Sequence, residues 1–126
     1  MNKRTYLFFA MPLLIALGAG SALAEGNAEA GKKIFNKCKA CHALEAGKKK
    51  VGPSLHGIIG SKSGHMEGFK YSSAMMEAGI EWTDENLDQY LTNPKDFIPG
   101  NKMIFPGLKD AQQRADVIAY IKEATQ

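Results

Sequence analysis

An all-α fold follows from three observations. Two stretches carry apolar residues at helical spacing behind capping residues, a third such stretch runs up to a pair of cysteines, and no segment alternates apolar and polar residues as a half-buried strand does. Ala30, Ile34 and Phe35 share a helical face just before Cys38, so a first helix should end at the cysteines. From Val51 to Lys70, "VGPSLHGIIGSKSGHMEGFK" holds five glycines and one proline in twenty residues, which leaves no helical period and predicts a long loop. A loop of that length in a compact domain is usually functional or wrapped around something. "YSSAMMEAG" reads as one short helical turn. "TDENLDQYLTNP" predicts a helix with Thr83 as N-cap, Asp84 and Glu85 in the first turn, and Leu87, Tyr90 and Leu91 on one face. Asn93-Pro94 is its stop signal. A last helix follows from "DAQQRADVIAYIKEA", with Asp110 as cap and Val117, Ile118 and Ile121 as the apolar face.

Lys3 and Arg4 precede an apolar run from Tyr6 to Leu17, and Ser21-Ala22-Leu23-Ala24 follows; these are the three parts of a secretory signal peptide. Residues 1–24 are therefore expected to be removed, leaving a single domain over residues 25–126 in the periplasm of a bacterium. The alternative is an uncleaved anchor, because the apolar stretch approaches the roughly 20 residues a spanning helix needs. Pro12 interrupts the run and Ala22-x-Ala24 suits a peptidase, which favours cleavage without stable membrane insertion. Without Lys3 and Arg4 the chain has 14 basic and 13 acidic residues, unevenly placed. Residues 31–70 hold nine lysines against Glu45 and Glu67, whereas residues 71–126 hold five basic and nine acidic groups. That polarity can steer an acidic partner. So small a net charge on an exported chain speaks against nucleic acid.

"NKCKACHALE" contains both cysteines of the chain. A disulfide between Cys38 and Cys41 would close a four-residue loop and remove little chain entropy, so a purely stabilising role is weak. Three or four short helices joined by a glycine-rich loop also offer few large apolar residues for a core. The Cys-x-x-Cys-His spacing resolves both points. Each thiol can add to a vinyl group of a haem, and His42 is then held beneath the iron as an axial ligand. A dithiol redox site is the rival reading, but it calls for a βαβ setting that the helical periods do not supply.

One axial histidine leaves the opposite side of the iron open. The candidates are His56, His65, Met66, Met75, Met76 and Met103. Met103 is favoured because it follows "FIPGNK", where Pro99 and Gly100 set a tight turn after which the chain can aim a long side chain at a metal.

"CKACH", "GPSLHG", "GIEW", "YLTNPKDFIPGNKMIF" and "VIAYIK" occur in an order and spacing that resemble class I c-type cytochromes, the bacterial cytochromes c2 and mitochondrial cytochrome c above all. The resemblance spans nearly the whole of residues 25–126. It implies a small fold of three to five short helices around one covalently bound haem c, with the first and last helices crossing. It implies a soluble, monomeric carrier of single electrons, not an enzyme.

Carried over by position, Cys38 and Cys41 resemble the thioether anchors, His42 the proximal ligand and Met103 the distal one. Pro53 matches the proline whose carbonyl accepts the axial histidine's far proton, Tyr90 the tyrosine that approaches the methionine sulfur, and Tyr71 and Trp82 donors to a haem propionate. Core packing on the Leu87–Leu91 face would serve Tyr90 equally. Gly31, Phe35 and Tyr120 resemble the contact of the crossing helices. By the same resemblance Lys37, Lys39, Lys95 and Lys102, with Lys48 to Lys50, ring the haem edge and meet acidic faces of a bc-type complex, a terminal oxidase or a photosynthetic reaction centre. Ser61 and Met75 depart from the mitochondrial pattern, which has arginine and asparagine there, and both changes bear on the potential. The competing class is a peroxidase or gas-binding protein of the cytochrome c′ type, which places its Cys-x-x-Cys-His near the C-terminus and leaves the sixth position open.

Overall fold

The computed structural model describes residues 23–126, and the expected leader lies outside them save for Leu23 and Ala24. Among the described residues there are five α-helices and no strand. They are α1 (Ala28–Ile34), α2 (Ser73–Glu77), α3 (Asp84–Thr92), α4 (Pro94–Phe97) and α5 (Ala111–Ala124), with a 3-10 turn at Phe35–Lys37 continuing α1 up to Cys38. Each helix start is fixed by a side chain that satisfies a free backbone N–H. Asn27, Ser72, Thr83, Asn93 and Asp110 accept from the amides of Ala30, Met75, Asn86, Asp96 and Gln113. The caps expected at Thr83 and Asp110 are thus in place. Asn93-Pro94 does more than stop α3. Asn93 caps a further turn of helix in which Pro94 occupies a first-turn position where no N–H is needed.

The first and last helices cross at Gly31. A β-carbon there would stand 1.9 Å from the carbonyl oxygen of Asp116, a distance that only the missing side chain permits. The crossing is tied by Asn27 N–H donating to Asp116 Oδ1 at 2.8 Å and by the tilted Phe35–Tyr120 ring pair, centroids 5.4 Å apart. Beneath it lies the core, which includes Phe35, Ile58, Trp82, Leu87, Tyr90, Ile98, Leu108, Val117, Ile118 and Ile121. The glycine-rich loop is held to the strand-like stretch before α3: Gly60 N–H donates to Trp82 O at 2.9 Å, Trp82 N–H to Ser61 O at 2.7 Å and Ser63 N–H to Ile80 O at 2.8 Å. Those bonds set the indole of Trp82 against the ring of Tyr90, with centroids 5.0 Å apart. No helix of the described residues is long and apolar enough to cross a membrane.

Candidate functional site

The 3-10 turn delivers the cysteines. Cys38 N–H donates to Phe35 O at 2.8 Å, and Cys41 and His42 both donate backbone N–H groups to Cys38 O, at 3.1 and 2.9 Å. A chain coiled this tightly brings Cys38, Cys41 and His42 to one wall of a single cavity of about 310 Å³, a size usual for a cofactor site. Both thiols are free. Burial, with Cys41 beside it, pushes the Cys38 thiol up from its ordinary value. The dithiol alternative calls for a βαβ setting, and the described residues form helices with no strand.

His42 is held by the Pro53 carbonyl, 2.7 Å from Nδ1. A carbonyl only accepts, so Nδ1 carries the hydrogen and the lone pair resides on Nε2. Burial pushes the ring's pKa down despite that bond, which keeps the imidazole neutral as a metal ligand must be. The ring lies so close to the chain that a β-carbon on Gly52 would stand 2.5 Å from its Cε1. Gly52 N–H in turn donates to Cys41 O at 2.7 Å, closing the segment against the cysteines.

Of the six residues considered for the far side, His65, Met75 and Met103 line the cavity; His56, Met66 and Met76 do not. Met103 is distinguished by its supports. The Tyr90 hydroxyl donates to Met103 Sδ at 3.3 Å, and burial pushes the phenol up to about 12, so it stays protonated at neutral pH. Asn101 accepts the Met103 N–H at 3.0 Å while its amide donates to Pro94 O and Ile98 O, each at 2.8 Å. Sequence reasoning missed Asn101. The only signal was its place two residues before the methionine, where a buried polar residue with free backbone groups around it acts as a local clamp.

Tyr71 and Trp82, the expected propionate donors, both line the cavity. Tyr71 accepts from Met66 N–H at 3.1 Å, which leaves its own proton for a further acceptor. The Trp82 indole N–H makes no hydrogen bond to the described residues, although Trp82 is only 4 % exposed. Two side chains that carry polar donors line one cavity, which suits a ligand that carries carboxylates, and the remaining wall is predominantly apolar: Leu55, Ile58, Leu87, Phe105, Val117 and Ile121. Two thiols, an imidazole Nε2, a thioether, an apolar wall and two spare donors together fit haem. A larger cleft of about 890 Å³ near Glu25, Asp88 and Lys122 has no cysteine, histidine or methionine among the described residues that line it.

The expected basic residues are placed unevenly. Lys37, Lys39, Lys95 and Lys102 are all exposed, and Lys37 and Lys102 reach the cavity rim. The Lys102 ammonium, however, donates to Lys70 O and lies 4.8 Å from the centre of the Phe69 ring, so it joins the methionine segment to the long loop. Lys49 and Lys50 likewise donate to backbone carbonyls, those of Gly68 and Lys39.

The family model for cytochrome c matches residues 28–125. A cytochrome c type-1 of Ascaris suum is 54% identical over 100 residues, which cover 79% of this chain and 89% of that one. The cytochrome c-554 of Methylosinus trichosporium is 43% identical over 124 residues, covering 98% of this chain and 94% of its own length. Among solved structures, cytochrome cH from Methylobacterium extorquens superposes with a TM-score of 0.75 at 44% identity, covering 78% of this chain and 99% of that one.

Proposed function

The chain belongs to the cytochrome c family and is thus an electron carrier with covalently attached haem c, not an enzyme; on that premise we propose that His42 and Met103 ligate the iron from opposite sides and that the carrier works in the periplasm. When bound, haem c supplies a metal centre that changes charge by one electron. Cys38 and Cys41 would hold it by thioether bonds and His42 would offer Nε2, while Pro53 orients that ring and would raise its donor strength through Nδ1. The Tyr90 hydroxyl bonds the Met103 sulfur and the Asn101 carboxamide holds the Met103 backbone. Tyr71 and Trp82 would offer donors to its carboxylates. With His42 and Met103 both holding the iron, oxygen and small substrates would find no free position, which separates this reading from the open-site cytochrome c′ class.

The observation that carries this reading is the convergence of both thiols, the imidazole and the Tyr90-bonded thioether on one apolar cavity. Optical spectra test it. The oxidised protein should show a sulfur-to-iron charge-transfer band that Met103→Ala abolishes, and only the variant, once reduced, should bind carbon monoxide rapidly at neutral pH. Rapid carbon monoxide binding by the unaltered protein would refute the two-ligand reading.

Partners are proposed from charge. Lys37, Lys39 and Lys95, with Lys102 at the rim, would meet acidic faces of a bc-type complex, an oxidase or a reaction centre. Transfer to such a partner should slow roughly tenfold or more as salt rises from low to several hundred millimolar. Stopped-flow rates that stay flat with ionic strength would remove the lysines from docking. For location, the match to cytochrome c-554 covers 98% of this chain and so extends into residues 1–24, which supports a shared, removable leader there.

A further inference from the structure

Resting on the His42 ligation proposed above, we propose that Met66 is a positioning residue that sets the electron-donor strength of the axial imidazole through the single peptide unit between Pro53 and Ser54. The carbonyl of that unit, on Pro53, accepts the His42 Nδ1 hydrogen at 2.7 Å. The N–H of the same unit, on Ser54, donates to Met66 Sδ at 3.3 Å. The two groups belong to one conjugated amide, so whatever draws on the N–H makes the oxygen a stronger or weaker acceptor. Met66 does not line the cavity. The route from its sulfur to the imidazole therefore runs through this amide and not through direct contact with the haem.

The surroundings leave the sulfur as the adjustable partner. Ser54 is 3 % exposed, so water is no substitute acceptor for its N–H. Its hydroxyl donates to Glu45 O at 2.6 Å and accepts the His56 N–H at 3.1 Å, which prevents the residue from swinging away. Met66 is anchored by its own N–H to the Tyr71 hydroxyl at 3.1 Å. A thioether is a weak acceptor. It keeps the buried amide satisfied while drawing on it less than an oxygen would. The Pro53 carbonyl is then only a moderate acceptor, His42 keeps less imidazolate character, and ferrous iron is favoured.

The test compares holoprotein with Met66→Leu, which keeps volume and removes the acceptor, and Met66→Gln, which supplies a stronger one. Midpoint potentials and, in the reduced proteins, the resonances of the Ser54 amide and the His42 Nδ1 proton are measured. The potential should rise in the leucine variant and fall in the glutamine variant. The Nδ1 proton should move upfield in the first and downfield in the second, in step with the Ser54 amide. Shifts of the same sign in both variants, or an Nδ1 proton that stays put while the Ser54 amide moves, overturn the proposal. If the glutamine variant does not fold, leucine alone decides, an unchanged Nδ1 proton and potential being the negative result. His42 ring protons that lack the displacement of a ring held against a porphyrin in every protein would overturn the ligation and this proposal together. A displaced ring with one invariant Nδ1 resonance overturns this proposal alone.

Discussion

A chain carrying Cys38→Ala and Cys41→Ala should lose its colour on acid–acetone extraction and, once haem-free, should show no cooperative unfolding transition in urea. The physical reason is that the cofactor's space and the hydrophobic core share walls. Ile58, Trp82, Leu87, Tyr90, Val117, Ile118 and Ile121 belong to the core and also line the cavity. An empty cavity of about 310 Å³, at roughly 24 cal/mol per Å³, costs on the order of 7 kcal/mol. A domain of this length is stable by only about 5–15 kcal/mol in total. Far-UV circular dichroism against urea reads the outcome, and a steep two-state transition in the haem-free chain would show that the helices hold their own core.

Gly31→Ala is expected to lower the stability of the holoprotein by about 3 kcal/mol or more, the upper end for overpacking. The added methyl would meet the Asp116 carbonyl oxygen, which is backbone and cannot rotate aside. Separating α1 from α5 to make room would strain the Asn27–Asp116 bond and the Phe35–Tyr120 contact. The midpoint of thermal unfolding should fall by roughly 12 °C or more. Ala30→Gly on the same helix is the control. It adds no clash and should cost only about 1 kcal/mol, the ordinary penalty of glycine in a helix.

The elements most legible in the sequence were those written in local chemistry. The caps at Thr83 and Asp110 and the stop at Asn93-Pro94 depend on a few neighbouring residues, and α3 and α5 begin where those signals stand. The Cys-x-x-Cys-His spacing marked the cavity wall for the same reason. What stayed hidden depends on hydrogen bonds that exist only once the chain has folded. That Pro94 opens a new turn of helix is decided by Asn93 capping Asp96. That Asn101 clamps the methionine segment requires Pro94 O and Ile98 O to be brought within reach. Met66 read as one of six candidate ligands, within the long glycine-rich loop. Its partner, the Ser54 amide, lies 12 residues away and is set opposite it only once the long loop has folded back. The lysines show the same limit from the other direction: the family resemblance implied a basic ring at the haem edge, yet Lys102 is drawn inward by Lys70 O and Phe69.

The Asn101 carboxamide has both of its ends committed to backbone groups, on one side of the turn and on the other. In the proposed ligation this would keep the backbone that carries the sulfur in place when the iron's charge changes. With little nuclear rearrangement at that ligand, the pace of traffic would be set by how often a partner arrives and how well it is oriented.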